Sequence, residues 1–259
     1  MTKELGIAPT WQAIDNLNSL FLGKEELHLW WLPLQLEEHQ RNTAYSLLNK
    51  RQLDKYERRS NPELQHAYLA SRYYLFTLLA AYQKCNPKDI KLRYSRLNKP
   101  YIDSHANTGS QDTLEFNFTD TNIDQKSYAL YAFSWNRQVG IDIEALERSA
   151  NFKQIAERRF TTQELDFATH ASGEIYPQKC LSIWTRKEAY GKATGKGINF
   201  EMNKRNLVNG DSNKNPFNYN FNDGNSDWRL LQIQPTPNFI ACVVHEGHQP
   251  LSIKTFTRP

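Results

Sequence analysis

The sequence predicts an α+β protein in which small antiparallel sheets pack with helices. Three observations predict it. Short runs of apolar and aromatic residues, several of them alternating, mark strands near both ends and in the middle of the 259-residue chain. Longer stretches carry apolar residues at three- and four-residue steps, the spacing of one helix face. The order strand, helical region, antiparallel strands can be read twice, although no sequence repeat is strong enough to prove a duplication.

The segment ELHLWWLPL (26–34) reads as the first strand, rich in aromatic and apolar residues. From about Ala44 to Tyr82 the pattern is helical. A charged part, LLNKRQLDKYERR, leads into an apolar helix around Arg72, which Asn86 and Pro87 close. LRYSRLNKPYI (92–102) is strand, turn, strand, with Asn98 and Pro100 supplying the turn. A polar loop over 103–113 comes before LEFNFTDT (114–121) and SYALYAFS (127–134), which read as paired strands.

VGIDIEAL (139–146) follows, and residues 151–170 and 177–194 read as helices. Residues 209–227, crowded with Asn, Asp and Gly, read as a long surface loop with a short strand at FNYNF. WRLLQIQ (228–234) and FIACVVH (239–245) form a closing hairpin across Pro235 and Pro237.

Composition narrows the function. A hydrophobic fraction of 39% and a charged fraction of 23% are those of a soluble globular chain. The N-terminal residues show no secretory h-region, and the most apolar run (68–82) contains Arg72 and is too short to span a bilayer. A net charge of +4 suits an anionic ligand or an acidic partner; acids and bases are mixed along the chain, so no basic stripe points to nucleic acid. The three cysteines are few, odd in number and far apart, which fits a reducing cytoplasm and argues against disulfides or a zinc site.

Two stretches carry chemistry. In GIDIE (140–144) alternation puts Asp142 and Glu144 on one strand face and Ile141 and Ile143 on the other. Adjacent carboxylates repel unless a cation neutralises them, as in magnesium sites; on the pentapeptide alone, a solvated acidic edge is the competing account. In WTRKEAYGKATGKG (184–197) the tail looks like a phosphate loop, but only three residues separate Gly191 from Gly195 and Gly197 follows Lys196 where a hydroxyl is required. The stretch reads better as a helix end. Leu181, Trp184, Glu188 and Lys192 share a face, and Gly195 and Gly197 stop the helix. The plainest account of Glu188 and Lys192 is an exposed ion pair one turn apart.

GIDIE followed some forty residues later by W-T-x-K-E-A-x-x-K-x-x-G-x-G resembles the 4'-phosphopantetheinyl transferases of the two-half, surfactin-synthetase-activating type. RRFTTQEL (158–165) is similar to that family's segment of Phe, a polar pair and Glu. NKPYI (98–102) is similar to its G-K-P turn, and ELHLWWL to its first strand. The resemblance implies a cytoplasmic, monomeric enzyme that moves the phosphopantetheine arm of coenzyme A to a serine of an apo acyl or peptidyl carrier protein. It implies a pseudo-dimer of two similar α+β halves, each a small antiparallel sheet packed with helices, with the active site in the cleft between them: a first half (1–138) with coenzyme A and carrier-protein contacts, and a second (139–259) with the magnesium site and catalytic helix.

Residue by residue, the resemblance implies that Asp142, Glu144 and Glu188 bind Mg2+. Glu188, or a water on the metal, takes the serine proton, and Lys192 reaches a phosphate. Lys99 binds another part of coenzyme A, and Thr119 and Thr121 offer hydroxyls to it. Lys55, Arg58, Arg59 and Arg72 are candidates for its 3'-phosphate. Glu164 is either a helper base or a solvated helix-start acid. Asp120 stands where the family carries a phosphate-contacting histidine, and Asn98 where it carries glycine. Asp120 therefore raises an alternative, a catalytically weakened member that binds coenzyme A or a partner.

Overall fold

A computed structural model describes residues 5–103, 112–169, 172–197, 202–208 and 215–258. Most of the polar loop expected at 103–113, and residues 209–214 of the second loop, lie outside the described residues.

A two-residue strand β1 (Gln12–Ala13) precedes β2 (Glu26–Pro33). Three helices follow, α1 (Glu38–Leu47), α2 (Lys50–Glu57) and α3 (Pro62–Gln83). The helical region thus starts earlier than Ala44 and is cut into three. Asn49 and Asn61 cap α2 and α3 by accepting backbone N–H groups, and Pro62 sits at the first position of α3, where no N–H is needed. The end of α3 is set by Lys84, left-handed at φ 53°, before Asn86 and Pro87 are reached.

The short pair β3 (Leu92–Tyr94) and β4 (Pro100–Ile102) comes next, joined by a turn in which Asn98 takes φ 68°, a conformation that asparagine tolerates. β5 (Leu114–Ile123) and β6 (Lys126–Trp135) pair antiparallel, as the alternation predicts.

The second half opens with β7 (Val139–Ala145). The helix read at 151–170 is two helices, α4 (Phe152–Arg159) and α5 (Thr162–Ala168). Phe160 is extended between them because Thr161 and Glu164 form a capping box that starts a new helix there. The long helix α6 (Pro177–Ala193) comes next, then β8 (Asn218–Asn222), β9 (Asp227–Ile233), β10 (Phe239–Glu246) and β11 (Ser252–Thr257).

These elements make an α+β fold with two similar sheet-plus-helix halves. The first sheet has the order β1-β11-β2-β6-β5 and the second β7-β10-β9-β8. The β2-β6-β5 portion of the first and the whole of the second are antiparallel. Strand β11 lies between β1 and β2, parallel to both, so residues 252–257 pack with the N-terminal half.

Alternation distributes the side chains into layers. In β2, Trp30 and Leu32 join α3 in one core, while Leu27, Leu29 and Trp31 face the second sheet. Ile141 and Ile143 of β7 enter that same inter-sheet core with Val243 of β10. On the far side of the second sheet, Ala189 and Ala193 of α6 pack against Leu230, Cys242 and Val244. Helices therefore cover the outer face of each sheet, and β5 and β7 meet edge to edge. All three cysteines are free. Among the described residues, no helix is long and apolar enough to cross a membrane.

Candidate active site

The candidate site lies where β7 and α6 touch. Ile141 and Ile143 anchor β7 in the inter-sheet core, so Asp142 and Glu144 necessarily point the other way, toward α6. The backbone of α6 comes unusually close. A Cβ on Gly140 would stand 2.0 Å from the Ala189 carbonyl oxygen and 2.2 Å from the Ala193 nitrogen, so only glycine allows this approach. That contact brings Glu188 and Lys192 of α6 over the two acids of β7.

The bonding is specific. Lys192 Nζ donates to Asp142 Oδ1 at 2.8 Å and to the Ile141 carbonyl at 3.1 Å. Thr119 Oγ1 donates to the same Asp142 oxygen at 3.3 Å, across from β5. Asp142 is 5% exposed, and its Oδ2 is buried with no hydrogen-bond partner. Glu144 Oε1 accepts from Trp184 Nε1 at 3.0 Å and pairs with Arg148. Asn117 Oδ1 accepts the Ile141 N–H at 3.0 Å, a side-chain bond that continues the first sheet into the second.

The acids are not at ease. Burial raises the Asp142 carboxyl above its ordinary range, against the pull of Lys192. Burial, then repulsion from Asp142, pushes both Glu144 and Glu188 up to about 7. Carboxylates are the ligand type that hard divalent cations take, and the Asp142 Oδ2 left without a partner is an oxygen of that type. Among the described residues, no three acidic, histidine or cysteine side chains are drawn together as a closed metal cluster; Lys192 and Arg148 hold Asp142 and Glu144 instead.

Two cavities adjoin these residues, the larger walled by charges of both signs and the smaller by basic ones. A cavity of about 690 Å³ is walled by Arg59, Arg72 and Arg148 together with Thr121, Asp120, Asp124, Glu144 and Glu147. An adjoining one of about 260 Å³ is walled by Lys55, Arg72, Asn98, Lys99, Phe118 and Lys192. Arg72 lies at their junction. Its guanidinium stacks on Tyr68 at 4.7 Å and Phe118 at 4.5 Å, with Nε buried and unpartnered, and Arg59 covers the same Tyr68 ring at 4.1 Å. Burial, then the charges of Arg51, Arg72 and Arg59, lowers Lys55. The structure thus brings Lys55, Arg59 and Arg72 together. Arg58 is exposed at the C-terminal cap of α2 and lines neither of these two cavities.

Three of the expected residues have partners within the protein. Thr119 spends its hydroxyl on Asp142. Lys99 donates its ammonium to Gln138, Val139 and Ala193. Glu164 is neither solvated nor turned to the cleft: it is 0% exposed, pairs with Lys187 at 2.7 Å, and accepts N–H groups from Thr161 and Leu207. Each partner there satisfies a charge that would otherwise be stranded in the core. Reading the sequence missed Lys187, which lies beside Glu188 on another helix face, and Arg148, four residues after Glu144. Four-residue spacing signals contact only within a helix; here the Ala145–Arg148 turn after the strand brings the two together.

This geometry coincides with what comparison finds. Residues 138–244, from the start of β7 to β10, match the family model of the 4'-phosphopantetheinyl transferase superfamily. The chain is 32% identical over 181 residues to the 4'-phosphopantetheinyl transferase HetI of Nostoc sp., covering 70% of this chain and 73% of that protein. It is 27% identical over 190 residues to a putative 4'-phosphopantetheinyl transferase of Synechocystis sp., covering 73% of each. A phosphopantetheinyl transferase of Thraustochytrium sp. is 26% identical over 152 residues, covering 54% of this chain and 50% of that one. The chain belongs to the 4'-phosphopantetheinyl transferase superfamily.

Proposed function

We propose that this chain transfers the 4'-phosphopantetheine arm of coenzyme A to a serine of an apo acyl or peptidyl carrier protein, releasing adenosine 3',5'-bisphosphate. The observation that carries the reading is the meeting of Asp142 and Glu144 on β7 with Glu188 and Lys192 on α6, beside the two cavities that Arg72 joins. Family membership supports it independently.

The chemistry fits the residues. Attack of a hydroxyl on the β-phosphate of a diphosphate needs charge neutralised and groups held in line. Asp142, Glu144 and Glu188 are the residues that would hold Mg2+, and the orphaned Asp142 Oδ2 is a position such an ion fits. When bound, the ion would supply Lewis-acid neutralisation of the diphosphate. Glu188 stands with Asp142 and Glu144, and it, or a water on the ion, would take the serine proton. Lys192 is seated to hold a phosphate oxygen once it shifts from Asp142. Arg72, stacked on two rings with an unpartnered Nε, is preorganised for a second phosphate, and Arg59 and Lys55 add positive charge around it. Both sides of the cleft come from one chain, which fits a monomer.

A second reading has one observation behind it: Asp120 exposes a carboxylate on the wall of the same cavity, where it repels an anionic ligand. That reading is a weakened member that binds coenzyme A or a partner without transfer. Incubation with coenzyme A, Mg2+ and an apo carrier protein, followed by intact mass measurement, separates the two. Transfer adds the arm to the carrier, and a carrier with its serine changed to alanine stays unmodified. An unmodified wild-type carrier overturns the transfer reading.

A further inference from the structure

The turn between β3 and β4 sends one cation across the molecule. Lys99 Nζ donates to the Ala193 carbonyl at 2.7 Å, to Gln138 Oε1 at 2.7 Å and, at a longer 3.4 Å, to the Val139 carbonyl. Ala193 is the last residue of α6, directly after Lys192, and Val139 is the first residue of β7. Helix C-termini leave carbonyls without partners and carry partial negative charge, so a buried ammonium there is doubly favoured. The turn that presents it is itself tied: Ser95 N–H donates to the Lys99 carbonyl at 2.9 Å, and Lys99 N–H donates to Ser95 Oγ at 3.1 Å.

An ammonium has three donors, and here three acceptors meet them. Burial pushes Lys99 down to about 8, leaving it charged at neutral pH. Lys99 lines the smaller cavity, but its ammonium is engaged by these three acceptors, which departs from the role that the family resemblance implies for this lysine.

We propose that Lys99 is a positioning residue: its ammonium fastens the β3–β4 turn to the start of β7 and the end of α6, and so sets where Lys192 and Glu188 stand over Asp142 and Glu144. Gly140 lets α6 lie close to β7; Lys99 holds the end of the helix in that place. Its effect on turnover rests on the transfer reading, whereas its effect on α6 does not.

Two variants test it. Lys99→Met keeps the apolar stem and removes the ammonium; Gln138→Leu removes one acceptor and leaves the lysine. Hydrogen exchange along the C-terminal turn of α6, coenzyme A binding by calorimetry, and kcat and KM are measured on each. The expected result is faster exchange at that turn, unchanged coenzyme A affinity, and kcat lowered about ten- to a hundredfold with KM for coenzyme A unchanged, since small misplacement of catalytic groups costs rates of that order. Gln138→Leu gives the same pattern more weakly, which also covers the case in which Lys99→Met fails to fold. Weakened coenzyme A binding with normal exchange in α6 overturns the proposal and makes Lys99 a ligand-binding residue. Normal exchange and normal binding in both variants overturn it as well. If wild type transfers nothing, exchange and binding still decide the role of Lys99, while the transfer reading fails separately.

Discussion

The Lys192 ammonium stands 2.8 Å from Asp142 Oδ1, so the cation of α6 is already seated on the buried acid of β7. This pair joins two segments fifty residues apart and holds together a site that also contains two carboxyls pushed up to about 7.

Asp142→Asn keeps the shape of the side chain and the bond from Thr119, and it removes one of three mutually repelling acids. The metal-free fold is expected to lose little. Thermal melts with and without Mg2+ check this: wild type gains stability on adding Mg2+, and the variant does not. A collapse of the metal-free variant would instead make Asp142 a structural acid.

Glu188→Gln preserves volume and removes the proton acceptor. The expected loss in kcat is about 10²- to 10⁴-fold, with the circular dichroism spectrum and coenzyme A affinity retained. Near-normal single-turnover rates would remove Glu188 from the chemistry.

Gly140→Ala drives a methyl group into the Ala189 carbonyl and the Ala193 nitrogen, both backbone atoms that cannot rotate away. Overpacking of this kind costs about 1–3 kcal/mol, and the rigidity of the contact puts the expectation at the upper end. Urea denaturation measures it. Activity should fall further than stability, because α6 is lifted off Asp142.

Acid should weaken the fold through two buried histidines. Burial pushes His28 and His245 down from 6.5 to about 4 each, against the opposing pulls of Glu26 on His28 and of the Glu246 carbonyl on His245. In the fold His28 accepts from the Tyr82 hydroxyl, which in turn accepts from Trp30 Nε1, and donates to Glu26, an arrangement suited to the neutral ring. The unfolded chain binds these protons first, so the stabilisation is complete above pH 6.5 and is lost as pH falls toward 4. It amounts to roughly 2–3 kcal/mol for each residue. Denaturation midpoints between pH 7 and pH 4 should fall steeply in wild type, and less steeply in a His28→Gln, His245→Gln double variant.

Asp120→His replaces a carboxylate on the wall of the larger cavity with a group that is cationic below about pH 6.5. A charge-assisted hydrogen bond to a phosphate is worth about 1.5–3 kcal/mol, so coenzyme A should bind at least about tenfold more tightly at pH 6, with a smaller gain at pH 8. Calorimetry at the two pH values is the check. Weaker binding at both would show that Asp120 has been recruited to a role of its own.

Local residue patterns were enough to define the separate pieces of this molecule. Alternation put Ile141 and Ile143 on one side of β7 and Asp142 and Glu144 on the other, and helical spacing put Glu188 and Lys192 on one face of α6. Both patterns survive in the structure because core burial fixes strand and helix faces residue by residue. The glycines after α6 were legible for the same reason: Gly195 and Gly197 take φ +67° and +70°, where other residues are strained. Pairings between distant segments were not legible. The parallel seat of β11 beside β2, the Glu164–Lys187 pair and the clamp of Lys99 on Ala193 each join segments that periodicity treats separately. A buried charge takes whichever partner the packed layers bring within reach, and that is decided only when the two sheets and their helices close on one another.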